Sequence, residues 1–170
     1  PAQIFGEMLT LLEADKRGPS EAMELTYKKS SEELIYIPEN LYVIGTMNLA
    51  DRSLALVDLA LRRRFAFFDL EPSLNLAWEN WLKTKGISTQ FINEIKTRMI
   101  LLNNQIADDS ALGSQYKIGH SYVTPITNVN DEKEWFLQVI ESEIGPLLDE
   151  YWFDNASLAD EVKNKAREGI

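Results

Sequence analysis

The sequence predicts two successive halves: the second half of a parallel α/β core, then an all-helical segment. Short apolar runs at Leu41–Ile44 and Ala66–Leu70 read as strands on either side of a helical stretch, Ser53–Arg62. Glu71-Pro72-Ser73 then interrupts, because proline donates nothing to a ladder and disfavours helix just before it. Beyond that boundary Phe91, Ile95, Met99, Leu102 and Ile106 recur at spacings of three and four, the stripe of a long amphipathic helix.

Taken in order, a first helix spans Ala2–Lys16, with Ile4, Phe5, Met8, Leu9, Leu11 and Leu12 on its apolar face. Gly18-Pro19-Ser20 stops it. Strands at Met23–Lys28 and Leu34–Ile37, joined through polar residues 29–33, form a β-hairpin insert. Pro38-Glu39-Asn40 is turn chemistry, and the strand after it ends on Asn48. The C-terminal end of a parallel strand opens into a ligand crevice, so the Asn48 amide is placed to meet a ligand. In the helical half, Leu74–Lys85 ends at Gly86, a left-handed cap. Residues 110–130 read as irregular, with a short strand or helical turn around His120. Asp131 with Glu134 gives a capping-box-like start. Gly145-Pro146 should kink or break the helix that follows, and Ser157 with Asp160 suggests a cap for a last short helix. Leu147-Leu148-Asp149-Glu150 has helical periodicity and does not read as a metal-binding strand.

Composition narrows the function classes. At 170 residues the chain can bury one domain or two small ones. A net charge of −10 suits a nucleic-acid backbone poorly, so any DNA contact is expected from a part not present here. With no cysteine, a disulfide scaffold and a thiolate metal site are excluded. No apolar stretch approaches the ~20 residues of a spanning helix. The N-terminus is not signal-like. The expectation is therefore a cytoplasmic chain with no membrane role.

The polar residues carry two readings each. Asn48 either caps the loop leaving its strand or orients a water. Asp51 and Arg52 are an exposed turn pair or part of a catalytic loop. Arg62-Arg63-Arg64 is either a solvated helix end, with Asp58 and Arg62 as an i,i+4 pair, or a phosphate grip. Guanidinium supports the second, since it stays charged and meets phosphate oxygens as a fork. His120, the only histidine, has no carboxylate cluster around it and does not read as a metal ligand. Glu13, Asp15, Lys16 and Arg17 read as a solvated face. No GxxxxGK[ST] loop occurs to cradle phosphates, and no apolar strand ending in Asp-Glu opens the chain.

Met47-Asn48-Leu49-Ala50-Asp51-Arg52-Ser53 resembles the sensor I signature of McrB-like AAA+ GTPases, with Leu49 where that pattern has Thr. The resemblance continues through Val57–Phe65, Ile118-Gly119-His120-Ser121-Tyr122 and Pro146–Tyr151, in the family's order and over nearly the whole chain. It implies an α/β P-loop NTPase (AAA+) fragment: the C-terminal half of the parallel α/β core in 1–71, with hairpin insert, sensor I and arginine cluster, followed by an all-helical lid in 72–170. The piece would begin just after the magnesium-binding motif. By that resemblance Asn48 positions the attacking water, Asp51 helps build the catalytic loop, and Arg52 braces it or reaches a neighbour. Arg63 or Arg64 is an arginine finger into the adjacent subunit of a homo-oligomeric, hexameric ring. The lid lacks an arginine at the sensor II position, and Lys117 or His120 substitutes there as a nucleotide contact. GTP (or ATP) with Mg2+ is the implied cofactor of the full-length parent, and a McrC-like nuclease subunit the implied partner in a restriction system acting on modified DNA. An ATP-hydrolysing remodelling protein of the MoxR or dynein-related kind, and a non-catalytic assembly module, are the alternatives.

Overall fold

The computed structural model describes residues 6, 8–26, 30, 34–48 and 62–170. It divides into two compact units, Pro1–Asp69 and Leu70–Ile170.

In the first unit, α1 (Met8–Leu11) is followed by 3₁₀ turns at Ala14–Lys16 and Pro19–Glu21. The expected helix through Lys16 therefore stops at Leu11. Glu13 leaves helical geometry (φ −65°, ψ 141°), and the Arg17 guanidinium takes the Leu12 carbonyl at 3.2 Å, one of those a helix end leaves open. Gly18 sits at φ +105° with its N–H on the Ile37 carbonyl at 2.9 Å, a conformation that favours glycine. The hairpin forms, but is short: β1 (Met23–Glu24) pairs antiparallel with β2 (Leu34–Ile35), with Met23 opposite Ile35. Leu9, Leu11, Leu12 and Ile37 make the core, with Met23, Ile35, Val43 and Phe65 packed against it.

The strands expected at Leu41–Ile44 and Ala66–Leu70 are not strands. Among the described residues the only sheet is β1–β2. Ile44 and Leu70 are each 93% exposed. A strand apolar on both faces is stable only between ladder neighbours and covering layers; among the described residues neither run has a ladder neighbour, and in the first only Val43 packs against the core. The parallel half-core is thus not visible as a sheet. The helical stretch Ser53–Arg62, apart from Arg62, and the Ala2–Glu7 part of the first helix, apart from Gly6, lie outside the described residues.

The second unit is helical. Its elements are α2 (Leu76–Thr84), α3 (Thr89–Asp108), 3₁₀ turns at Ser114–Tyr116 and His120–Val123, α4 (Glu132–Val139), a π turn (Ile140–Ile144), α5 (Gly145–Tyr151) and α6 (Ala156–Arg167). Asn75 caps α2 by accepting from the Trp78 N–H at 3.1 Å. At its other end Gly86 (φ +93°) donates to Lys83 and Ile87 to Leu82, both at 3.2 Å, closing a Schellman motif with Leu82 and Ile87 buried together. Ser88 caps α3, and Glu132 in turn accepts from the Ser88 N–H and hydroxyl at 2.6 and 2.9 Å. The five α3 positions of the sequence stripe are all buried.

Two local expectations take a specific form. The kink or break expected at Gly145-Pro146 appears as a π turn that interrupts the α-helix between Val139 and Gly145. The Gly145 N–H reaches back five residues to the Ile140 carbonyl, and the widened turn relieves the clash that the proline ring would cause. A Cβ on Gly145 would lie 2.8 Å from that carbonyl, so only glycine fits. The last helix is capped by Asn155, which accepts from the Leu158 N–H at 3.2 Å, and not by Ser157. Arg98 of α3 finishes the other end of α6, donating to the carbonyls of Lys165, Ala166 and Glu168.

Candidate functional site

The first unit gives the three arginines of the 62–64 cluster different surroundings. Arg62 is helical, and Arg63 and Arg64 lie in the turn after it. The Arg62 guanidinium stands 5.7 Å from the centre of the Phe67 ring. Arg64 turns inward: its side chain is 9% exposed and pairs with Glu13 at 2.5 Å. Arg63 stays exposed on the rim of an open groove whose lining includes Leu12, Glu13, Asp15, Glu39 and Tyr42. Arg17 ties the same region together, donating to the carbonyls of Leu12 and Leu41. The solvated-face reading of residues 13–17 is therefore corrected for Glu13, Lys16 and Arg17, which hold Arg64, Glu21 and two carbonyls; Asp15 is exposed. Asn48 is exposed, at the end of a run that joins no sheet. Asp51, Arg52 and Asp58 lie outside the described residues.

In the second unit, Lys117 and His120 flank the short extended link between the two 3₁₀ turns, and both reach residues 71–73. The Lys117 Nζ pairs with Glu71 at 2.8 Å. The Ser73 N–H donates to His120 Nδ1 at 3.1 Å, which makes that nitrogen the acceptor and leaves Nε2 to carry the hydrogen of the neutral ring. Both side chains are thus engaged with residues 71–73 of their own unit. Beside them Tyr116 and Tyr151 meet edge to face at 5.2 Å. Burial, with the neighbouring Tyr122, Tyr116 and Glu150, pushes the Tyr151 phenol up to about 12, so it remains protonated at neutral pH.

Sequence reading missed two residues that organise these places. Glu13 looked like one charge of a solvated run, and nothing local marks it as the partner of Arg64. Asn103 sits at an inward position of α3, 7% exposed, where an amide could have signalled a buried polar task. Among the described residues no three His, Cys, Asp or Glu side chains gather as metal ligands, so these residues do not fit a magnesium site. Among them, too, no helix is long and apolar enough to cross a membrane.

Comparison with known proteins matches the two units to two families in succession. Residues 1–65 match the AAA domain of the dynein-related subfamily, and residues 94–160 match the alpha-helical lid domain of McrB. The chain is 40% identical over 168 residues to the type IV methyl-directed restriction enzyme EcoKMcrB subunit of Escherichia coli, covering 96% of this chain and 37% of that protein. It is 28% identical over 130 residues to the type II restriction enzyme BsuMI component YdiS of Bacillus subtilis, covering 66% of this chain. The chain spans 37% of the length of each of these relatives. With an AAA segment running into a McrB-type lid, and this identity along almost all of its length, the chain belongs to the McrB-like AAA+ family.

Proposed function

We propose that this chain is the sensor I, arginine-finger and lid portion of a GTP-hydrolysing AAA+ subunit that works in a DNA restriction system. The different fates of Arg62, Arg63 and Arg64 support this most directly. Arg64 is committed to Glu13, while Arg62 and Arg63 are both exposed, Arg62 lying over the Phe67 ring and Arg63 facing the open groove. An arginine held out by a packed neighbour is what a finger into an adjacent subunit requires. Arg63 is accordingly assigned as the finger and Arg64 as its internal brace.

Asn48 is assigned as the amide that orients the attacking water, with Asp51 and Arg52 shaping the loop around it. Lys117 and His120 are assigned as the lid's nucleotide-facing pair in place of a sensor II arginine. GTP with Mg2+ is the cofactor of the whole subunit, and no described residue is given to the metal. A homo-oligomeric ring and a McrC-like nuclease subunit are the partners, in keeping with the restriction-enzyme names of the two relatives. The match of residues 1–65 to the dynein-related subfamily favours an ATP-using remodelling subunit as the second reading.

Because the 170 residues contain no phosphate loop, the chain alone should neither hydrolyse nor tightly bind GTP or ATP. Micromolar binding by calorimetry would overturn that. The finger is tested by mixing. Subunits with Arg63→Ala, and subunits disabled at the phosphate loop, should each be nearly inactive alone. Mixed rings restore some interfaces with both parts intact, and activity should partly return. A finger is worth about 10³–10⁵ in rate, so sparse correct interfaces are visible. Rings that form without recovering activity would remove the trans assignment.

A further inference from the structure

The short link between the two 3₁₀ turns, with Lys117 at one end and His120 at the other (the 117–120 turn), is held by a buried side chain. Asn103, on the inward face of α3, donates from Nδ2 to the Ile118 carbonyl at 3.0 Å and accepts the Ile118 N–H on Oδ1 at 2.7 Å. Asn103 is 7% exposed and Ile118 1%, so this amide satisfies both backbone groups of a residue shut away from water. An apolar residue here would leave two buried groups unpaired, and a helix interior rarely carries asparagine for its own sake. On either side of Ile118 the turn reaches outward. Lys117 pairs with Glu71, and His120 Nδ1 accepts the Ser73 N–H. A relay closes the far side, with the Trp78 indole donating to Thr124 Oγ1 at 3.1 Å and that hydroxyl donating to the His120 carbonyl at 2.6 Å.

We infer that Asn103 is a positioning residue: it sets the place of Lys117 and His120 and, through them, fastens residues 71–73, so that this segment and the 117–120 turn open and close as one piece. The inference concerns how the turn is held; that the turn meets nucleotide rests on the function proposed above. Asn103 touches neither Glu71 nor Ser73 through any of these bonds, so a change at Asn103 felt at Ser73 must travel through the turn.

Amide hydrogen exchange on the whole 170-residue chain tests it. In Asn103→Ala, protection at Ile118 and Ser73 should both fall by about tenfold or more, while the α3 amides around Met99 and Leu102 keep theirs. Loss of protection throughout would report general destabilisation and would overturn a positioning role, as would unchanged protection at Ser73 in a folded variant. The unaltered chain gives a second measurement that needs no substitution. Ile118 and Ser73 should exchange through one common opening with the same denaturant dependence; separate openings overturn the inference. The nucleotide reading is judged separately, by the affinity of assembled rings carrying Lys117→Ala or His120→Ala. Unchanged affinity there removes that reading and leaves the coupling between Asn103 and Ser73 to stand or fall on exchange.

Discussion

The two units of this chain solve the burial problem to very different degrees. The helical unit encloses its apolar stripe: Phe136, Ile95 and Leu148 are fully buried, and Phe91 meets Phe136 edge to face at 5.9 Å. Several helix ends there have a side-chain partner, from Asn75 and Ser88 to Arg98 on the carbonyls of α6. Among its described residues the first unit closes a core of four buried residues and leaves Tyr42, Ile44 and Phe68 in water. The contrast follows from the kind of structure each needs. A helix satisfies its backbone internally and needs only one covered face, whereas a strand needs a neighbour for its backbone before its side chains can be buried. Asn48 and Arg63, two of the residues proposed to act in catalysis, sit on exposed parts of the first unit, while Arg64 is held against Glu13.

The largest effect that could sharpen this contrast is catalytic. In assembled subunits, Arg63→Ala should lower turnover by about 10³–10⁵ without changing stability. Arg64→Ala should instead lower the denaturation midpoint of the first unit, because it strips Glu13 of its partner. Equal turnover losses with unchanged stability in both variants would erase the division between finger and brace.

A second comparison sets the two cores against each other. Phe136→Ala should cost about 3–5 kcal/mol, as deletion of a fully buried aromatic does. All four tryptophans lie at or beyond residue 78, so indole fluorescence reads the helical unit alone. Ile44→Ser should change stability by no more than about 0.5 kcal/mol while reducing self-association, because the removed surface is already in water. Light scattering showing undiminished association would locate the sticky surface elsewhere.

Gly145→Ala should cost about 1–3 kcal/mol, the usual penalty of forcing a methyl into a packed site, since its Cβ would press on the Ile140 carbonyl. A neutral result in chemical denaturation would mean that the π turn relaxes at no cost.

The smallest effect is one of pH. The Trp152 indole N–H, at 2.8 Å, and the Ala111 N–H hold the Asp109 carboxyl below its ordinary value. The folded state thus favours the ionised form. That stability is present above the ordinary carboxylate pKa and is lost as pH falls through the lowered folded value. Asp109→Asn should therefore be less stable than the parent near neutrality, with the gap closing in acid. A gap independent of pH would assign the loss to packing.

Much of the helical unit could be read from the chain alone. The α3 stripe, the left-handed Gly86 and the Asp131 cap are local facts: each depends on spacing or on one residue's permitted geometry, so a string of letters determines them. The resemblance around Asn48 and the arginines likewise determined the family, because order and spacing of those residues survive without coordinates. What the letters left open depended on partners distant in sequence. Which arginine turns inward was decided by Glu13, some fifty positions away, and the helix was carried past Pro146 by a π turn whose hydrogen bond sequence periodicity does not encode. Asn103 acquired its task from Ile118 across a loop. The two apolar runs at Leu41–Ile44 and Ala66–Leu70 showed the same limit from the other side: their composition specifies a capacity for strand, and only ladder neighbours in the tertiary structure can realise it.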